Sequence, residues 1–178
     1  PSTSLSDFKR LRIGKVEARK QSDMGMQYDG MYWHYLDKWI FALSRYAHAA
    51  KDVNILRDAV QIIHDVHPYF YVEGHGLRWK TNVDLSPIQP DPSFHSKSST
   101  RSNIVERGPS SDDVQGFVSY HCIYEAARYL EDDLSMNAMK KYLNELMTVV
   151  QSYYHNFLQS GSYHQIAFAV DPLGWGME

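Results

Sequence analysis

Cysteine is nearly absent from this sequence, with Cys122 the single example among 178 residues. No intrachain disulfide and no four-cysteine zinc site can form, and a chain of this length buries an apolar core without such staples. A dominant charge sign is missing too. The 18 Lys and Arg are balanced by 21 Asp and Glu, leaving a net charge of -3. That balance supplies no broad cationic field for phosphates, so nucleic acid and anionic membrane are excluded as default partners. Long apolar runs are lacking: nothing approaches the ~18 continuous apolar residues of a membrane span. The chain as given also has no basic start followed by an apolar run, which predicts a cytoplasmic protein without a secretory leader. What is plentiful is aromatic, with 13 Tyr, 4 Trp, 7 Phe and 9 His.

The length suits one domain, 1–178, or part of a larger one. Residues 1–26 read as irregular. From 28 the apolar marks Tyr32, Leu36, Trp39, Leu43, Tyr46, Ala47 and Ala50 recur at helical spacing, with Asp29 as the N-cap candidate. Met31, Trp33, Tyr35, Ile40 and Phe41 lie off that stripe, so this helix is predicted to be enclosed on several sides. A second, amphipathic helix is expected over 52–67, ending before Pro68 and joined to the first by Lys51-Asp52 as an antiparallel hairpin. Tyr69 to Leu85, around Gly74 and Gly76, reads as a β-hairpin or extended loop, and 86–111 as a long Ser- and Pro-rich loop. A second hairpin follows over 112–158. Ser111, Asp112 or Asp113 caps its first helix, and its second carries Met139, Tyr142, Leu143, Leu146, Met147, Val150, Tyr153, Tyr154 and Phe157. Asp171-Pro172 has the form of a further helix start, opening a third unit at 171–178.

Helix starts at Asp29-Gly30, Asp113-Val114-Gln115-Gly116 and Asp171-Pro172-Leu173-Gly174 share a pattern. Repeated pairs of an enclosed and an amphipathic helix are the mark of helical arrays, open or closed. In a closed α/α toroid the inner helices point their N-terminal ends at a central cavity, where acidic caps serve the helix ends and line the pocket together.

The stretch Gln27-Tyr28-Asp29-Gly30-Met31-Tyr32-Trp33-His34-Tyr35-Leu36-Asp37-Lys38-Trp39 carries a resemblance, together with Arg12-Ile13-Gly14-Lys15, Leu77-Arg78-Trp79-Lys80 and the Asp-x-x-Gly helix starts. These residues resemble an uncharacterised group of the six-hairpin glycosidase-like (α/α)6 toroid superfamily. The resemblance implies an all-α toroid, of which this chain is expected to hold only part, with the segment 69–111 inserted. It implies carbohydrate chemistry, with glycoside hydrolases, unsaturated glucuronyl hydrolases, polysaccharide lyases and sugar epimerases among the members. Where similar proteins carry Asp-Pro-Leu-Asp-Gly before the third inner helix, this chain has Ser111-Asp112-Asp113-Val114-Gln115-Gly116.

Sugar chemistry needs paired carboxylates, one to move a proton and one to activate water or stabilise positive charge. Asp29, Asp112, Asp113 and Asp171 are the catalytic candidates, each at a predicted inner-helix start, and capping is the structural role open to each. Sugar rings also present C–H faces that stack on aromatics. Tyr28, Tyr32, Trp79 and Trp175 are the candidate platforms, Gln27 and His34 candidate polar contacts, and Arg78 and Lys80 cations for a uronate; an exposed hairpin with ordinary surface charges is the plainer reading of Arg78 and Lys80. His34 and His121 are placed near the first turns of the enclosed helices as possible bases or buried hydrogen-bonded rings. The spacings His64/His67 and His34/Asp37 are too weak for a metal. No metal or cofactor is expected, and the partner expected is a small-molecule or oligosaccharide substrate. The competing readings are a non-catalytic helical array that binds a protein or glycan, and terpenoid-cyclase-like chemistry with aromatic walls around a cation.

Overall fold

The computed structural model describes residues 30–88 and 111–160. Four helices carry the fold: α1 (Trp33–Ala50), α2 (Val53–Phe70), α3 (Ser111–Tyr129) and α4 (Asp133–Ser160). Four two-residue strands accompany them: β1 (Met31–Tyr32), β2 (Tyr71–Val72), β3 (Gly76–Leu77) and β4 (Lys80–Thr81). β1 pairs antiparallel with β4, Met31 opposite Thr81 and Tyr32 opposite Lys80, while β2 pairs with β3 as a hairpin. α1 packs on α2 and α3, α3 packs on α4, and α2 touches both helices of the second hairpin. The described residues are therefore mostly helical, with two small sheets.

Both helical hairpins turn in the same way. Lys51 and Glu131 adopt left-handed backbone, φ 54 and 55. The N–H of the following aspartate reaches back to the carbonyl five residues earlier, Asp52 N to Ala47 O at 3.0 Å and Asp132 N to Ala127 O at 2.9 Å. These are Schellman stops, which satisfy carbonyls that the helix end leaves open. Each aspartate then caps the next helix. Asp52 accepts from the backbone N–H of Asn54 at 2.9 Å. Asp132 accepts from Ser135 Oγ at 2.6 Å and holds Arg57 of α2 through both oxygens, at 3.1 and 2.8 Å. The two hairpins are thus tied together at their turns, and Arg57 keeps the Asp132 carboxyl below the usual range.

The core runs between all four helices. Trp33, Leu36 and Ile40 of α1 meet Leu56, Ile63 and Phe70 of α2, Tyr120 and Ile123 of α3, and Met139 and Leu146 of α4. Trp33 has no exposed surface and contacts Phe70 and Tyr120 ring to ring, at centroid distances of 5.3 and 6.1 Å.

Several expectations are corrected. α1 begins at Trp33 rather than at 28, and its N-cap position is Tyr32, with no side-chain cap; Asp29 lies outside the described residues. The reason is the pairing of β1 with β4, which holds Met31 and Tyr32 extended, and the Trp79 carbonyl accepts the free N–H of Trp33 at 3.0 Å. α2 continues through Pro68 to Phe70, because a proline in the last turn forfeits only one late hydrogen bond. α1 is not enclosed either. Its buried arc is Trp33, Leu36, Asp37, Ile40, Ser44 and Ala47, while Tyr35, Trp39 and Tyr46 are exposed. On α4 the buried series is Met139, Tyr142, Leu146 and Val149, and Met147 faces outward. The expected third unit at 171–178 and most of the long loop fall outside the described residues.

Candidate functional site

The register of β1 against β4 gathers four of the expected contacts at the N-terminal end of α1. Tyr32 and Lys80 face each other in that pair, and the Lys80 ammonium lies 4.9 Å from the Tyr32 ring centre and 6.0 Å from that of Trp79. Tyr32 also meets Trp79 at 5.7 Å and His34 at 5.8 Å, and His34 stands 4.0 Å from Tyr35. Lys80 is not a surface charge on an exposed hairpin, since it is only 3% exposed. Its stem uses the space left by Gly30, where an added Cβ would lie 2.3 Å from Lys80 Cε. Arg78 takes a separate path and donates to the Tyr69 carbonyl at 3.2 Å. The two cations flanking Trp79 therefore do not converge.

The two acids of the first α3 turn also separate. Asp113 is fully buried, and its Oδ1 accepts the Leu77 N–H at 2.6 Å, so this carboxylate anchors the β2–β3 hairpin on α3. That contact depends on Gly76, which has φ +93 and whose added Cβ would meet Asp113 Oδ1 at 2.3 Å. Gly76→Ala is expected to cost about 2–3 kcal/mol through backbone strain and loss of the anchor. A urea midpoint equal to wild type would show that the hairpin relaxes without penalty.

Asp112 is half-buried, and its charge acts on two residues of α1, His34 and Asp37. Asp37 was visible beforehand only through its three-residue spacing from His34, yet it is the most perturbed acid of this region. It is 4% exposed, and burial pushes its carboxyl up to about 7. The Ser119 hydrogen bond opposes that rise, Asp112 adds to it and Lys38 opposes it. Its Oδ1 has no hydrogen-bond partner among the described residues. His34 is held below the usual imidazole range, chiefly by burial.

A second polar cluster lies between α2, α3 and α4. His67, 3% exposed, is bridged by Tyr120 Oη at Nδ1, 3.0 Å, and Glu145 Oε2 at Nε2, 2.9 Å. Its ring stacks on Tyr71 at 5.0 Å and 17°. Burial lowers His67 to about 4, with Lys141 acting in the same direction. His64, one turn away, pairs with Tyr142 Oη at 2.8 Å. The His64/His67 spacing thus serves two tyrosines. Tyr120 has no exposed surface and His67 almost none, so this relay ties α2, α3 and α4 together, with the partly exposed Glu145 at its outer end.

Gln27, Tyr28, Asp29, Asp171 and Trp175 lie outside the described residues. His121 is exposed beside Glu125, at 3.9 Å, and is not a buried ring. Burial raises the Cys122 thiol, as an inert cysteine requires. Among the described residues no group of three His, Cys, Asp or Glu side chains could hold a metal ion, and no helix is long and apolar enough to cross a membrane. No family model matches the chain, and neither the curated proteins nor the solved structures include a significant match.

Proposed function

We propose that this chain belongs to a carbohydrate-active enzyme of the glycoside hydrolase kind, built as part of an (α/α)6-type ring with α1 and α3 as neighbouring inner helices. The observation that carries the reading is the grouping of Tyr32, Trp79, His34 and Lys80 at the N-terminal end of α1 with Asp112 acting on the same end from α3. The half-buried Trp79, backed by the buried Tyr32, suits the C–H side of a pyranose, the half-buried imidazole suits its hydroxyls, and Asp112 stands in the first turn of α3, where the helix end favours negative charge. Asp29 and Asp171 remain proposed partners for that carboxylate, and Gln27, Tyr28 and Trp175 proposed contacts for the sugar. Asp113 fits this role less well than Asp112, because its oxygen is already committed to Leu77.

The test is turnover of a panel of aryl glycosides, neutral oligosaccharides and uronates by the full chain, read as reducing-sugar release. Asp112→Asn is expected to lower kcat by about 100-fold or more, and Trp79→Ala to raise KM with a smaller effect on kcat. Unchanged kcat in Asp112→Asn would remove the proposed carboxylate, and no turnover across the panel would remove the enzyme reading. The exposed aromatic line Tyr35, Trp39 and Tyr46 favours a second reading, a non-catalytic array that binds a glycan or protein. Binding without product would select it. Epimerase or lyase chemistry would show as an altered or unsaturated sugar with no new reducing end, and a terpenoid-cyclase-like role as retention of a polyprenyl diphosphate.

A further inference from the structure

Along α1, Tyr35, Trp39, Ala42, Tyr46 and Ala49 recur at steps of four and three, which sets them in one line, and all five are exposed. The rings are open to solvent, Tyr35 at 46%, Trp39 at 49% and Tyr46 at 60%, while α2 and α3 pack on the opposite arc of the helix. The line starts at the aromatic group described above. Tyr35 lies 6.0 Å from the Tyr32 ring and 4.0 Å from His34, and Tyr32 meets Trp79 at 5.7 Å. At about 1.5 Å of rise per residue, positions 35, 39 and 46 follow one another at about 6 and about 10 Å, which matches one and two rings of an extended pyranose chain. A seam for another helix would carry aliphatic knobs at these spacings. Here every large side chain is an aromatic with a polar tip, and alanines lie between them. One edge of the line is cationic. Lys38 and Arg45, seven residues apart, are exposed and form no ion pair among the described residues. The one acid of α1, Asp37, is buried, so a second copy of this face brings no carboxylate to meet them. A net charge of -3 gives no broad cationic field for a nucleic-acid backbone. A chain of uronates supplies both complements, C–H faces for the rings and carboxylates for the guanidinium and ammonium.

Resting on the carbohydrate reading above for the class of ligand, we propose that the exposed face of α1 is a binding track for an extended acidic polysaccharide. Its sugar rings stack on Tyr35, Trp39 and Tyr46, its carboxylates turn toward Lys38 and Arg45, and one end of the chain reaches the Trp79 group. Trp39 and Tyr46 hold rings remote from that end, so they set a preference for long chains. Lys38 and Arg45 set the preference for uronates over neutral sugars.

Calorimetric titration of the full chain with oligogalacturonates of two to six rings, and with cello-oligosaccharides of the same lengths as the neutral series, tests the track. Affinity for the acidic series is expected to rise about tenfold or more from the shortest to the longest member. Trp39→Ala and Tyr46→Ala are each expected to weaken the hexamer by about tenfold and to leave the dimer unchanged, with Trp39→Phe, which keeps a ring, close to wild type. Lys38→Gln combined with Arg45→Gln is expected to erase the preference for the acidic series. All four side chains are exposed, so melting temperatures equal to wild type separate a lost contact from a lost fold. No binding, an affinity independent of length, or a hexamer held as tightly by both alanine variants as by wild type overturns the track. A polyuridylate bound as tightly as the hexamer overturns its specificity for glycan, and self-association of the wild type that Trp39→Ala abolishes reassigns the face to a second copy. Length-dependent binding without turnover removes the hydrolase reading and leaves the track, whereas equal turnover of short and long chains removes the track and leaves the hydrolase.

Discussion

Asp37→Asn is expected to melt ~5–10 °C above wild type at pH 8, which corresponds to about 2–3 kcal/mol of added stability. The folded carboxyl stands at about 7 against an ordinary value of 3.8. A group raised on folding contributes its full stability below the unfolded value and loses it as pH rises through the folded one. The gap of about three units at ~1.4 kcal/mol each sets a ceiling of roughly 4 kcal/mol on what the wild type loses by pH 8. Asparagine escapes that loss but leaves an amide group where Oδ1 had no partner, at about 1–2 kcal/mol. The gain at pH 8 should accordingly shrink to near zero at pH 5. Thermal melts of both proteins across pH 5–8 check this, and parallel profiles would mean that Asp37 does not titrate in this range.

The second large effect concerns His67, whose replacement by alanine is expected to cost about 3–4 kcal/mol at pH 7.5. The change opens a cavity against Tyr71 and leaves the hydroxyl of Tyr120, which has no exposed surface, without its imidazole partner. It also alters the pH response in the direction opposite to Asp37. His67 is lowered on folding to about 4 from 6.5. Its stability contribution is complete above the unfolded value and is lost as pH falls through the folded one. Between about pH 4 and 6.5 the two groups therefore pull against each other, His67 losing stability on acidification while Asp37 gains it. Wild type should show a flattened profile in that window. Removing His67 should expose a steady rise in stability toward acid, and removing the Asp37 carboxyl a steady fall. Urea denaturation at half-unit pH steps measures both slopes, and a His67→Ala variant that still weakens on acidification would contradict the assignment.

The helical hairpins were legible, because Leu56, Ala59, Ile63 and Val66 keep helical spacing and their polar neighbours Asp58 and Gln61 fall opposite. The rotation of α1 was not. Aromatic residues occupy both its buried and exposed arcs, so Trp39 and Tyr46 scored as core as readily as Trp33 and Ile40, and burial was decided by packing on α2 and α3. Tyr32, Trp79, Lys80 and Asp112 were singled out from their residue types and neighbours. Their gathering depends on the β1–β4 pair, a contact across nearly fifty residues that no local pattern encodes. Asp37 entered only through its spacing from His34, and its burial is set by the packing of α1 on α3, which no local pattern encodes. The His67 relay stayed hidden because its partners Tyr120 and Glu145 come from two other helices.

The repeated Schellman turns carry a consequence for how the chain acquires its fold. Lys51-Asp52 and Glu131-Asp132 let each hairpin close between helices adjacent in sequence, so α1 with α2 and α3 with α4 can zip together at small loop-closure cost. Docking of α1 on α3 across the long intervening segment, which brings Trp33 to Tyr120 and Arg57 to Asp132, carries the larger loop-closure cost. The same docking assembles Asp37 beside Ser119. The buried setting of Asp37 therefore exists only once α1 lies against α3, and a nascent chain holding the first hairpin alone is expected to carry Asp37 as an ordinary aspartate.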